Sequence, residues 1–159
     1  MSGYVAILFG RSRGTGDVDI LIEPISYGRF FELYGRAEKK DFYFMNSTNL
    51  DTIYEMLIKG LAVRVAKKDT VIPNIEIKFV KNEIDRYSLD NRLRVVLGDN
   101  HVFISPIELQ IAYKLYLGSD KDIDDAVYLW EIFKNHINKN RLYYFMRKMD
   151  VEGSKYGIG

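Results

Sequence analysis

The 159-residue chain has no cysteine, two histidines and almost no excess of either charge, with 23 Lys and Arg against 22 Asp and Glu. The missing cysteines exclude disulfides and thiolate metal sites and are compatible with a reducing compartment. His101 and His136 lie far apart without ligand spacing, so neither is given a role. A net charge of +1 offers no electrostatic ground for general nucleic-acid or membrane binding, although local pairs such as Arg11 with Arg13, or Lys67 with Lys68, could meet phosphates. No apolar run reaches the roughly 18 residues of a membrane span. The start lacks the basic region and cleavage site of a signal peptide, so the expected compartment is the cytoplasm. What the chain does have is 47% hydrophobic and 28% charged residues, enough for one solid core.

The order of patterns predicts an α+β fold, a mixed β-sheet flanked by helices and followed by a helical segment. Residues 4–9 are an apolar run that periodicity alone leaves open between helix and strand, 11–16 are a loop of Gly and Arg, and 17–23 an alternating strand closed by Pro24. Ser26 caps a helix to residue 39 with Phe30, Phe31, Leu33 and Tyr34 as its apolar face, and Asn49 caps a second that ends at Gly60. Strands are expected at 42–45, 61–66 and 75–80, and a hairpin around residues 98–100. Helices follow at 106–117, 120–135 and 139–149, with Trp130, Tyr128, Ile132 and Phe133 as one buried side. Residues 153–159 read as a frayed tail. These patterns divide the chain into a core at 1–104, a helical cap at 105–152 and the tail.

Asp17 and Asp19 raise the chemical question. On what reads as a buried strand, two carboxylates would cost several kcal/mol unless something positive met them. Residues i and i+2 of a strand share a face, so these acids sit side by side, and Glu76 on the strand at 75–80 is the expected third. Such a set of hard oxygen donors suits Mg²⁺ or Mn²⁺. Two such ions about 3.5–4 Å apart can activate an attacking oxygen and stabilise leaving pyrophosphate. The plainer reading of an Asp-x-Asp at a strand start is a solvated edge or a turn cap.

The glycines around these acids carry a resemblance. Ser2 and Gly3, then thirteen residues, then Asp17-Val18-Asp19 and a later acid resemble the pattern of the DNA-polymerase-beta-like nucleotidyltransferase superfamily. The segment "GRSRGTGDVD" at 10–19 resembles most closely the small prokaryotic nucleotidyltransferase-like proteins related to toxins of toxin–antitoxin pairs, in which "GRxRxTxDxD" recurs. "PNIEIKF" at 73–79 and "ISPIELQIAYKLYLGSDKDIDDA" at 104–126 look like later blocks of the same group.

The resemblance implies an enzyme that transfers an NMP from an NTP to a hydroxyl of an RNA, a protein or a small molecule, with an antitoxin as a partner. It implies Asp17, Asp19 and Glu76 as metal-binding and catalytic residues. Ser2 and Gly3 would start the phosphate-binding helix. Arg13 either binds phosphate or pairs with an acid. Lys114 and Lys121 either reach the nucleotide or, for Lys121, pair with Asp125 at i,i+4. The alternative function is a nucleotide-binding or protein-interaction module that kept the scaffold and lost turnover. The family places a strand directly before its Gly motif, where this sequence has only Met1, and Ser-Gly stands where the family has Gly-Ser. The expectation is an upstream start or a homo-oligomer that covers the open edge of the acid-bearing strand.

Overall fold

The computed structural model describes residues 3–159. The chain is α+β, as its element order predicts. It divides into two compact units, one of Gly14–Leu89 and one of Gly3–Arg13 with Asp90–Gly159. The division therefore does not fall at residue 104. The first helix and the hairpin belong with the C-terminal helices.

The Gly14–Leu89 unit runs β1 (Asp17–Ile22), α2 (Tyr27–Glu38), β2 (Phe42–Phe44), α3 (Leu50–Ile58), β3 (Val63–Lys67), β4 (Asn74–Phe79) and α4 (Glu83–Asp90), the last ending one residue beyond the unit. The strand order is β1-β4-β3-β2, with β1 and β4 parallel and the other pairs antiparallel. β1 is thus an edge strand of its sheet.

The pleat sorts each strand by alternation. Val63, Val65 and Phe79 face one side, where they join Phe30 of α2 and Ile53 and Leu57 of α3 in a buried core. Phe30 is 1% exposed, and truncating such a ring costs about 3–5 kcal/mol. Tyr34 and Ala37 continue the Phe30 face of α2 at helical spacing. Phe31, expected on that same face, is 62% exposed because one position on from Phe30 lies about 100° round the helix, and Leu33, at the edge of the face, is 37% exposed.

Both helix starts are as expected. The Ser26 hydroxyl accepts from the Arg29 amide and the Asn49 side chain from the Thr52 amide. α4 has no apolar periodicity to announce it. It is started by Asn82, whose Oδ1 accepts from the Asp85 amide, and is tied down by Lys78 to Asp85 and by Arg86 to Glu23.

The other unit holds α1 (Tyr4–Leu8), the hairpin β5 (Leu93–Leu97) and β6 (Asn100–Ile104), and helices α5 (Ile107–Leu117), α6 (Asp120–Phe133) and α7 (Lys139–Lys148). α5 packs on both α6 and α7, burying Leu109, Ile111, Ala112 and Leu115. Glu108 is also buried, and its Oε1 accepts from the Asn138 amide at the start of α7. On α6 the buried side is Ala126, Leu129 and Trp130, whereas Ile132 is 40% exposed.

The frayed tail expected at 153–159 is instead docked. Ser154–Tyr156 forms a 3₁₀ turn, Ile158 is 1% exposed, and a Cβ on Gly153 would lie 2.7 Å from the Ile158 carbonyl oxygen. Its small residues read as disorder because a single apolar anchor carries no periodicity.

Candidate functional site

The acids meet on the sheet face opposite the aromatic core. Asp17 and Asp19 share that face of β1. The parallel register sets Asn74 beside Asp17 and Glu76 beside Asp19. The antiparallel register of β3 then sets Arg64 on the far side of Glu76. Arg64, Glu76 and Asp19 therefore form one cross-strand row, neighbouring Cβ atoms in such rows being about 4.5–5.5 Å apart.

Arg64 Nε donates to Glu76 Oε1 at 2.6 Å. The hydrogen bond Arg64 donates to Glu76, then the charge of Glu76, raise the Arg64 pKa above its ordinary value; desolvation opposes this and the charge of Asp17 adds to it. The positive group on this face, Arg64, stands two strands from the aspartates and pairs with Glu76. The expectation of a buried strand is corrected at the same time, since Asp19 is exposed and Asp17 only half-buried. Thr15 Oγ1 donates to the Asp17 carbonyl at 3.0 Å and to its Oδ1 at 3.3 Å, closing the loop onto the strand.

This donor set fits a hard divalent cation in part. Asp17 and Asp19 supply adjacent carboxylates. Asn74 adds an amide oxygen: its Nδ2 donates to the carbonyls of Gly16 and Val71, both at 3.3 Å, while Oδ1 is enclosed without a hydrogen-bond partner. An orphaned oxygen of that kind in a row of acids is a suitable cation ligand. Glu76 is held by Arg64, and among the described residues no three acidic or histidine side chains converge closely enough to hold a metal. The three-acid cage expected from the sequence is thus present as a shared face and not as a closed ligand set.

The basic residues expected at the nucleotide belong to the other unit, where Arg13 and Lys114, joined by Arg11, converge on Asp125, whose side chain is fully buried. Lys114 Nζ and Arg13 Nη1 both donate to its Oδ2, at 2.7 and 2.6 Å, and Arg11 Nη1 donates to its Oδ1. Arg11 also reaches Asp124 Oδ2 and the Lys121 carbonyl, and Lys114 reaches Asp122 Oδ1 at 3.2 Å. Burial alone would push the Asp125 pKa up, but hydrogen bonds from Lys114, Arg13 and Arg11 outweigh it and hold the carboxyl below the usual range.

Gly10 delivers these arginines. At φ +99° it ends α1 in a left-handed turn, with the Gly10 amide on the Ile7 carbonyl and the Arg11 amide on the Ala6 carbonyl.

The sequence-predicted site residues therefore separate into two sets. Asp17, Asp19 and Glu76 share one face. Arg13 takes the acid-pairing role, and Lys114, fully buried, does the same. Lys121 does not pair with Asp125, and its side chain is exposed. Gly3 starts α1, but the group closest to it is Arg13, whose guanidinium lies 2.8 Å from where a Cβ would stand. With only five residues, α1 is too short to build much dipole for a triphosphate. Ser2 lies outside the described residues. Sequence reasoning missed Arg64 and Asn74, and it gave Asp125 to Lys121 where its partners are Arg11, Arg13 and Lys114. Arg64 was signalled by its place between Val63 and Val65, which puts a charge on the face opposite the core.

No protein-family model matches this chain, and a search of curated proteins finds no match.

Proposed function

We propose that this protein is a metal-dependent nucleotidyltransferase that moves an NMP from an NTP onto a hydroxyl of an RNA, a protein or a small molecule. The observation that carries the reading is the register of β1 on β4, which sets Glu76 beside Asp19 on the face that Asp17 shares. The resemblance of residues 10–19 to the toxin-related proteins adds an antitoxin as the proposed partner and the cytoplasm as the place of action. None of the described helices is long and apolar enough to cross a membrane.

In this reading Asp17 and Asp19 hold the cation, with the Asn74 amide oxygen beside them. Bound Mg²⁺ or Mn²⁺ would neutralise charge on the triphosphate and favour departure of pyrophosphate. Glu76 orients the acceptor hydroxyl and takes its proton, the longer Glu side chain reaching out from its strand. Holding both partners on adjacent rigid strands favours in-line attack at the α-phosphorus.

Incubation with each α-labelled NTP, Mg²⁺ or Mn²⁺, and bulk RNA or protein tests the reading. Label should enter an acceptor and should be lost in Asp17→Asn/Asp19→Asn. The second reading, a binding module without turnover, is favoured by the commitment of Glu76 to Arg64 and of Arg13 and Lys114 to Asp125. It predicts NTP binding with no transfer to any acceptor.

A further inference from the structure

In a chain whose net charge is only +1, α7 carries Lys139, Arg141, Arg147 and Lys148 and no acid. Leu142, Phe145 and Met146 are buried, so the helix turns Asn140, Tyr144, Arg147 and Lys148 outward at i, i+4, i+7 and i+8, with Arg141 on the flank. All five are exposed, the Tyr144 ring at 49%. Among the described residues the Arg141 and Arg147 side chains make no ion pair or hydrogen bond.

Two of these charges suit their place in the helix and two do not. Arg147 and Lys148 lie in the last turn, where a cation complements the helix dipole. Lys139 and Arg141 lie in the first turn, where the dipole favours acids. Lys139 has a use within the unit, its Nζ standing 5.2 Å from the centre of the Trp130 ring. Arg141 has none. It occupies the third position after the Asn138 cap, which accepts from its amide, and there a Glu would close a capping box. A cation that its own helix disfavours and no neighbour meets calls for an anion from outside.

We propose that the outer face of α7 binds single-stranded RNA, with Arg141, Arg147 and Lys148 on its phosphates and the Tyr144 ring stacked on an unpaired base. The surface lies within the C-terminal unit and needs no metal, so it goes beyond the nucleotidyltransferase reading and does not rest on it. A membrane is disfavoured because the apolar face of α7 is already buried and has nothing to insert. An acidic protein is disfavoured because an exposed aromatic ring set among cations suits a chain that alternates bases with phosphates. Asn140, one turn before Tyr144, offers an amide that can donate to and accept from a ribose 2′-hydroxyl, which favours RNA over DNA.

The test is fluorescence anisotropy of a labelled single-stranded RNA of mixed sequence, about 12 nucleotides long, titrated with the full chain. Wild type should bind it, with affinity falling about 20-fold over a fourfold rise in salt, the dependence expected of about three phosphate contacts. Arg141→Glu should weaken binding about tenfold or more while the melting temperature holds or rises, because the new Glu closes the capping box. Arg147→Gln, at the other end of the stripe, should weaken binding and reduce the slope of log affinity against log salt by about 0.7. Tyr144→Ala should weaken binding about fivefold or more and leave that slope unchanged, since stacking carries no charge. Changing the exposed Lys39, Lys40 and Lys68 of the other unit to Gln should alter affinity by less than about twofold.

Absence of RNA binding by wild type overturns the proposal and leaves the nucleotidyltransferase reading standing. Binding that is unchanged in Arg141→Glu, Arg147→Gln and Tyr144→Ala also overturns it, since the RNA would then lie elsewhere. So does equal or tighter binding of the same sequence as DNA, of duplex RNA, of polyglutamate or of phosphatidylserine vesicles.

Discussion

At the scale of residues, Asp125 is the group on which the C-terminal unit's electrostatics turn. It is fully buried and accepts from Arg11, Arg13 and Lys114, so its loss leaves several cations facing one another in a poorly solvated place. Asp125→Asn should lower stability by about 3–5 kcal/mol, the cost of breaking a buried charge pair, as read by denaturant unfolding. Lys114→Met should cost less, because the arginines remain on the carboxylate and a buried ammonium is removed with its own desolvation penalty. Equal losses would mean that the carboxylate is not the centre of the network.

The pH dependence has a definite sign. The folded-state pKa of Asp125 is lowered, so its contribution is fully present above the unfolded value of about 3.9 and is lost as pH falls through the folded value. The stability gap between wild type and Asp125→Asn should therefore be constant near neutrality and narrow in acid. A gap that widened as pH fell would contradict the assignment.

Elements were legible where a local rule governs them. Ser26 and Asn49 announced helix starts because a side-chain oxygen before an apolar periodic stretch satisfies an orphan amide, and each does so here. Replacing either with Ala should cost about 1 kcal/mol in thermal or denaturant unfolding. Where no periodicity existed, reading failed. α4 is polar and held by ion pairs from Lys78 and Glu23, partners found only once the chain folds. The last residues looked disordered because their order depends on Ile158, which is 1% exposed. Ile158→Ala should cost about 2–5 kcal/mol and should raise hydrogen exchange across residues 153–159. An unchanged exchange rate would show that the segment is not held by that side chain.

For the whole molecule, what the sequence exposed was alternation and what it hid was long-range pairing. That Asp17, Asp19 and Glu76 lie on one face followed from period two on each strand and a guess that the strands are neighbours. The β1–β4 register supplies that neighbourhood. The destination of Arg13 could not be read, because Asp125 lies 112 residues away and no local pattern links a loop arginine to a distant helix. Residues 3–13 and the hairpin both belong with the C-terminal helices, so the division falls between residues 89 and 90. Arg64 escaped notice because a single charge in a strand looks like ordinary alternation until its cross-strand partner is known.

The central claim is that Asp17 and Asp19 hold a catalytic divalent cation on a nucleotide. Thermal unfolding of the full chain with and without Mn²⁺ and each NTP tests it most directly, because a ligand that binds only the folded state stabilises it by mass action. At ligand near 100 times its dissociation constant the gain is about 2.7 kcal/mol, or roughly 5 °C or more for a chain of this size. The account predicts that rise in wild type and its loss in Asp17→Asn/Asp19→Asn, whose metal-free form should be as stable as wild type or more so, with like charges removed. A shift of the same size in the double variant would contradict it.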